Sequence, residues 1–215
     1  MLKAFIFDMD GVIIDSEPLH FEVDIQVMND FGTSITREKL EQYVGMTNPE
    51  MWASIKDEYR LTQSVSEIIE YQLSNKISIL TSKEMEPIEG IRELLDALKA
   101  NGIPAAIASS SPPVFIEAVL RKFGLQDHFD AVVSGEEVEK GKPAPDVYLK
   151  AAELLGVEPQ HCMVLEDARH GVAAAKAAGM TCIGFVNPNS GNQDLSQADH
   201  IVKSVSEVGA ILNFI

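Results

Sequence analysis

Two aspartates one residue apart, followed at once by a glycine, are where this chain can do chemistry: Asp8-Met9-Asp10-Gly11. Two carboxylates that close repel each other, so they need a cation between them or a shared proton. A hard divalent ion such as Mg²⁺, which takes a few carboxylates and leaves room for phosphate oxygens, suits that need. The residues in front explain how the pair is held. Ala4-Phe5-Ile6-Phe7 is an apolar run that reads as a strand covered on both faces. Gly11 then lets the chain turn where a side chain would obstruct it. The carboxylates are thus expected just beyond the end of a central strand, the rim at which open α/β sheets bind ligands. An EF-hand loop does not fit, because it needs a third ligand residue before its glycine and a helix where this chain has the apolar strand. Nor do two exposed acids in an ordinary turn, since few solvated turns follow so apolar a strand.

The elements that must position these groups come in two textures. From about residue 17 to 82 the periodicity is helical and no strand stands out. Val23, Val27, Met28 and Phe31 form one stripe, Met51, Trp52, Ile55 and Tyr59 a second, and Ile68, Ile69, Leu73, Ile77 and Leu80 a third. Pro18 and Pro49 stand near helix starts, where a missing N–H costs little. The stripes read as the core of a helical bundle. From Gly90 onward helix and strand alternate. Ile91, Leu94, Leu95 and Leu98 make a helix face ended by Gly102. Strands are expected at 104–108, 131–133, 162–165 and 181–186, with an edge strand at Ile201-Val202. Helices are expected up to about Phe123, over 145–155 and over 171–178. Such alternation implies a parallel sheet with helices on both faces. The fold class expected is therefore α/β, a doubly wound, Rossmann-like core over 1–15 and 84–215, interrupted after its first strand by an all-helical domain over 16–83.

Further strand ends supply a consistent set of groups. The second gives Ser109, with Ser110 beside it, near the start of a helix where a phosphate is readily seated. Lys142, in Gly141-Lys142-Pro143-Ala144-Pro145-Asp146, precedes another helix and is held in a loop stiffened by two prolines. The fourth strand stops at Glu166-Asp167, completing a site for a hard metal. Taken singly, Ser109 reads as a helix cap, Lys142 as a solvated cation and Glu166-Asp167 as a dipole-favoured cap. Four strand ends delivering nucleophile, anion seat, cation and metal ligands together read as an enzyme. Gly135 to Lys142 is not a P-loop, because Pro143 replaces the Ser/Thr that loop requires.

Composition narrows the class. The chain has 215 residues, 46% hydrophobic and 23% charged, enough for a sizeable core in one or two domains. Its 33 acids against 17 bases give a net charge of −16, which disfavours non-specific binding to nucleic acid or anionic membrane. Cys162 and Cys182 lie in apolar segments without metal-ligand spacing, which fits a reducing cytosol. A strand begins within three residues of the start, no signal peptide is read, and no apolar run reaches the length of a membrane span. A cytoplasmic monomer is expected.

Asp8-Met9-Asp10-Gly11, Ser109, Lys142-Pro143 and Glu166-Asp167, in this order and spacing, make the chain resemble the haloacid dehalogenase superfamily, in its Mg²⁺-dependent branch with an inserted helical cap. The resemblance spans essentially all of the chain. Asp15-Ser16-Glu17-Pro18-Leu19-His20 and Gly141 to Asp146 are similar to the subgroup of β-phosphoglucomutase and related sugar-phosphate phosphatases. The resemblance implies that Asp8 attacks phosphorus and forms an aspartyl phosphate, while Asp10 serves as acid and then base. It implies Mg²⁺ on Asp8, the Asp10 backbone carbonyl and Asp167, with Glu166 nearby or bound through water. Ser109 and Lys142 would hold the transferring phosphoryl oxygens. An aspartate at position 10 sets the chain apart from the dehalogenase branch, which lacks it and needs no metal.

By the same resemblance, His20 and the cap loop Gly45-Met46-Thr47-Asn48-Pro49-Glu50 meet substrate, with Gly45, Thr47, Asn48 and the core residue Ser110 as candidate contacts. Mutases carry a basic residue in that loop to grip a second phosphate; this loop has none, although Lys76 could supply charge from the next cap helix. The expected activity is therefore hydrolysis of a small phosphorylated metabolite, with a phosphosugar mutase as the alternative. A Schiff-base phosphonate hydrolase would need a marked cap lysine among Lys39, Lys56 and Lys76. A non-enzymatic phosphoaspartate receiver would lack the insert.

Overall fold

A computed structural model describes residues 2–43 and 48–212 of the chain. It divides into two compact units, Met1–Ser16 with Met85–Ile215, and Glu17–Glu84. In chain order, β1 (Ala4–Phe7) opens the first unit, and α1 (Glu17–Asp30), α2 (Arg37–Leu40), α3 (Asn48–Tyr59) and α4 (Val65–Ser82) make the second. The first unit resumes with α5 (Ile91–Ala100), β2 (Ala105–Ser109), α6 (Pro113–Phe123), β3 (Ala131–Ser134) and α7 (Asp146–Leu155). It ends with β4 (Cys162–Glu166), α8 (Arg169–Ala177), β5 (Thr181–Phe185), β6 (His200–Val202) and α9 (Val208–Leu212).

The strands form one parallel sheet in the order β3-β2-β1-β4-β5-β6, which puts β1 between β2 and β4. All four residues of β1 are buried, as a strand covered on both faces requires. Side chains alternate across the sheet. Ala4 and Ile6 pack with Val147, Tyr148 and Ala151 of α7 and Val172 and Ala175 of α8. Phe5 and Phe7 take the other face, their rings 4.7 Å apart, and Phe7 meets Phe129 edge-on at 5.8 Å. Each large side chain buried in this way contributes about 1.5–3 kcal/mol of transfer free energy. The α/β expectation is borne out.

Three strands, β2, β3 and β4, run one residue further than the apolar pattern suggested. Ser109 remains in β2 because it pairs with Ser134, and Glu166 remains in β4 because it pairs with Gly184. Ladder hydrogen bonds follow the backbone, so they continue past the point where hydrophobicity stops. α8 starts at Arg169, two residues before the expected Gly171, for the same reason in a helix.

The helical unit is held by its own core: Val23, Val27 and Met28 of α1, Trp52 and Ile55 of α3, and Ile68 and Leu80 of α4 are buried. A capping box fixes the start of α4, with Ser64 and Glu67 satisfying each other's backbone N–H. A polar chain runs inside this core. Gln72 Nε2 donates to buried Asp24 at 2.5 Å and its Oε1 accepts from Asn48 Nδ2 at 2.8 Å. Burial raises the Asp24 carboxyl, and Gln72, His20 and Lys76 pull it back in part.

Candidate active site

The C-terminal ends of β1, β2 and β4 lie side by side, so the residues that leave them converge. Phe7 pairs with Ile107 and with Leu165, and the Asp8 N–H extends the ladder to the Leu165 carbonyl at 3.0 Å. Beyond Asp8 the chain folds back tightly: the N–H groups of Ile13 and Ile14 bond the Met9 carbonyl, and that of Gly11 bonds the Ile14 carbonyl at 2.7 Å. Gly11 takes φ +80°, and a Cβ there would collide with the Asp167 carboxylate and the Ser190 hydroxyl. Glycine is required at this position by backbone conformation and by space alike.

Lys142 reaches into this rim from the loop before α7. Its ammonium lies 2.5 Å from Asp8 Oδ1 and 2.8 Å from Glu166 Oε1, with its side chain only 8% exposed. Tyr148, one helical turn into α7, donates its hydroxyl to the same Glu166 oxygen at 2.9 Å and sets its ring 4.8 Å under the ammonium. The Ala168 N–H bonds Glu166 Oε2 at 2.9 Å. Glu166 is thus occupied at both oxygens. Gly171 of α8 makes room for it, since a Cβ there would overlap the Glu166 carboxylate.

Asp10 points to the second strand end. Its Oδ2 accepts from Ser111 Oγ at 2.7 Å and from Ser109 Oγ at 3.4 Å, and Ser109 Oγ in turn accepts the Ser111 N–H at 3.0 Å. Ser134, at the end of β3, donates to the Ser111 carbonyl at 2.7 Å and anchors that loop. Ser110 is exposed between the two serines.

The electrostatics call for a cation. Burial pushes the Asp8 carboxyl well above the ordinary range; Lys142 opposes this, while Glu166, Asp167 and Asp10 add to it. Burial and then Glu166 push Asp167 up to about 7. Burial alone would lower the Lys142 ammonium, but Asp8 and Glu166 outweigh it and hold it above its usual value. One lysine does not neutralise three buried carboxylates. Asp8, Glu166 and Asp167 each offer an oxygen within 4.8 Å of the others, all of them hard donors. Asp167 Oδ1 is buried without a protein partner, while Oδ2 accepts from Ser190 Oγ. The residues present therefore fit a divalent metal.

Of the positions singled out in the sequence, the structure brings Asp8, Asp10, Ser109, Lys142, Glu166 and Asp167 to one rim. The Asp10 carboxylate stands with Ser109 and Ser111 rather than in the three-carboxylate group. His20 and Asn48 belong to the helical unit, and Gly45 and Thr47 lie outside the described residues. Lys39 is paired with Glu58 at 2.8 Å, and Lys56 donates to the carbonyls of Leu61 and Gln63, so neither is set up as a Schiff-base amine. Sequence reasoning missed Ser111, Tyr148, Gly171, Asn187 and Ser190. Three of them left a signal: Gly171 interrupts an alanine-rich helix at a cost of about 1 kcal/mol, which asks for a packing reason, and Asn187 and Ser190 stand in Asn187-Pro188-Asn189-Ser190, a polar cluster at one more strand end.

The family model described as "Haloacid dehalogenase-like hydrolase" matches residues 5–185. Hexitol phosphatase B of Escherichia coli K12 is 36% identical, over 97% of this chain and 95% of its own. β-Phosphoglucomutase of Bacillus subtilis is 32% identical, over 96% and 92%. The crystal structure of CbbY from Rhodobacter sphaeroides in complex with phosphate superimposes with a TM-score of 0.86 at 26% identity, covering 97% of each chain. With its motifs, its sheet order and these matches in agreement, the chain belongs to the haloacid dehalogenase-like hydrolases.

Proposed function

We propose that this chain is a Mg²⁺-dependent phosphatase that hydrolyses small phosphorylated metabolites, sugar phosphates among them, through an aspartyl phosphate on Asp8. The observation that carries the reading is the triad of buried carboxylates, Asp8, Glu166 and Asp167, facing a single lysine at the end of the central strand. Asp8 and Asp167, with the Asp10 backbone carbonyl, would hold the ion, and Glu166 would support it while orienting Lys142. The ion supplies charge neutralisation between an anionic nucleophile and an anionic phosphate.

The chain's own groups do the rest. An Asp8 carboxylate oxygen bonds to phosphorus as the bond to the sugar oxygen breaks, and Asp10 gives that oxygen its proton. A water then attacks phosphorus, Asp10 takes its proton, and the bond between Asp8 and phosphorus breaks to release phosphate. Ser109 and Lys142 donate to the phosphoryl oxygens while charge is spread over them. Ser111 holds the Asp10 carboxyl in place for both transfers.

The helical unit is assigned the role of a substrate cap, with His20, Asn48 and Ser110 of the core as substrate contacts. An uncharged amide at Asn48, where a mutase needs a cation, favours hydrolysis over mutase action. Asp24 accepts from Gln72, so Gln72 turns its oxygen to Asn48 and Asn48 commits an amide N–H inward. The exposed Asn48 is an uncharged amide, which suits a sugar hydroxyl and brings no positive charge to a second phosphate. The mutase reading draws its support from the Bacillus subtilis relative. A location in the cytoplasm is part of the proposal, supported by two free and buried cysteines. The test is phosphate release with and without Mg²⁺ over a panel of hexose and pentose phosphates. β-Glucose 1-phosphate with a trace of the 1,6-bisphosphate is followed in parallel for glucose 6-phosphate. Mg²⁺-dependent release without isomerisation is expected; isomerisation outpacing release would replace phosphatase by mutase.

A further inference from the structure

The turn after β5 closes on the three-carboxylate group from a side that the catalytic steps do not use. Asn187 is 6% exposed and both ends of its amide are committed: Nδ2 donates to the Gly11 carbonyl at 2.9 Å and Oδ1 accepts the Asn189 N–H at 2.8 Å. The Ser190 N–H bonds the Asn187 carbonyl at 3.2 Å. Gln193 then ties the Ser190 carbonyl, at 2.9 Å, to the first N–H of α8, which bonds Gln193 Oε1 at 3.1 Å. Ser190 is therefore fixed from both sides. Its hydroxyl donates to Asp167 Oδ2, and the bare Cα of Gly11 leaves the space in which the two meet.

A carboxylate offers a metal two equivalent oxygens and can turn between them. A hydroxyl that engages one oxygen removes that freedom and leaves the other to the ion. At Asp167 the engaged oxygen is Oδ2, and the buried atom without a protein partner is Oδ1.

We propose that Ser190, braced by Asn187 and Gln193, is a positioning residue for the divalent cation, fixing Asp167 so that Oδ1 faces the ion. The inference rests on the cation site proposed above. Hydrogen-bond partners behind a metal ligand are worth about 10–100-fold in metal affinity when removed. The experiment is calorimetric titration of the full chain with Mg²⁺ alone, for wild type, Ser190→Ala, Ser190→Thr, Gln193→Ala and Asp167→Asn. Ser190→Ala is expected to weaken binding by about 10-fold or more, Ser190→Thr to stay close to wild type, and Gln193→Ala, which only loosens the brace, to fall between them. Activity of Ser190→Ala should recover as Mg²⁺ is raised, with an unchanged KM for substrate once the ion saturates; a merely structural role would not be rescued in this way. Unaltered Mg²⁺ binding by Ser190→Ala alongside its loss in Asp167→Asn would overturn the inference and leave the cation site standing. Unaltered binding in both would overturn the site itself.

Discussion

Asp8 and Asp10 are chemically identical side chains two positions apart, and their neighbours give them different work. Asp8 faces a lysine and two carboxylates, an arrangement that favours an anion as soon as a cation arrives. Asp10 faces hydroxyls, which can hold a carboxyl in either protonation state. Asp8→Asn is expected to abolish turnover while circular dichroism stays that of wild type; an active asparagine variant would remove Asp8 from the nucleophile's role. Asp10→Asn should lose about 10²–10⁴-fold with an alkyl phosphate. With p-nitrophenyl phosphate, whose leaving group needs no proton, the first phosphoryl transfer should suffer far less, giving a burst of nitrophenolate. Equal losses for both substrates would deny Asp10 any part in protonating the leaving oxygen.

Among the elements, α8 is where helix propensity and site geometry disagree. Gly171→Ala improves the intrinsic helix by about 1 kcal/mol, yet its methyl would occupy the place of the Glu166 carboxylate. Glu166 is bonded to Lys142, Tyr148 and the Ala168 N–H, so it cannot move alone. Gly171→Ala should therefore lower kcat by more than about 10-fold, the scale at which misplacing a reacting group is felt, without a gain in Tm. A more stable and fully active variant would mean that Glu166 has room to shift. The same elements explain what was legible beforehand. Asp8, Ser109, Glu166 and Asp167 were readable because apolar runs stop at them, and a strand's end is also the rim of the sheet. Lys142 was readable from the prolines around it. Ser111 was not, because a serine in a loop carries the same signal whether it caps a helix or serves an acid 101 positions away. Tyr148 was hidden in a helix face, where an aromatic reads as core, and its ring is indeed fully buried while its hydroxyl donates a hydrogen bond to Glu166. The insert was legible as helices, but its Asp24–Gln72–Asn48 chain was not, since polar pairs inside a bundle have no period.

At the scale of the molecule, the carboxylates make stability depend on pH and on metal together. Asp8 and Asp167 are raised in the folded protein, Asp167 to about 7 from 3.8. A carboxyl raised on folding favours the folded state at low pH, and that contribution is lost as pH rises through the folded value. Metal-free protein should thus become less stable between pH 5 and pH 8. Asp167→Asn should melt higher than wild type at pH 8, by about 3 °C or more given roughly 2–4 °C per kcal/mol in a chain of this size, and the difference should shrink as pH falls below 7 and vanish only below the ordinary carboxylate value of 3.8. Mg²⁺ should raise the wild-type Tm more at pH 8 than at pH 5.5. Thermal melts at the two pH values, with Mg²⁺ and with a chelator, check both signs; a Mg²⁺ effect that does not depend on pH would place the ion away from these carboxylates.

The Ile88 N–H bonds the Ile13 carbonyl at 2.9 Å, so the strand-end loop that the chain leaves and the segment on which it returns are stitched together on the sheet-bearing unit. Everything between, Glu17–Glu84, hangs from one closed gate. Lengthening such a segment costs little, about 0.6 kcal/mol for each doubling, and exchanging it leaves the ladder of β1 untouched. The insert is in this sense a cartridge. On the cap role proposed above, a lineage can change what reaches Asp8 by replacing the cartridge, and keep the phosphoryl chemistry without re-evolving it.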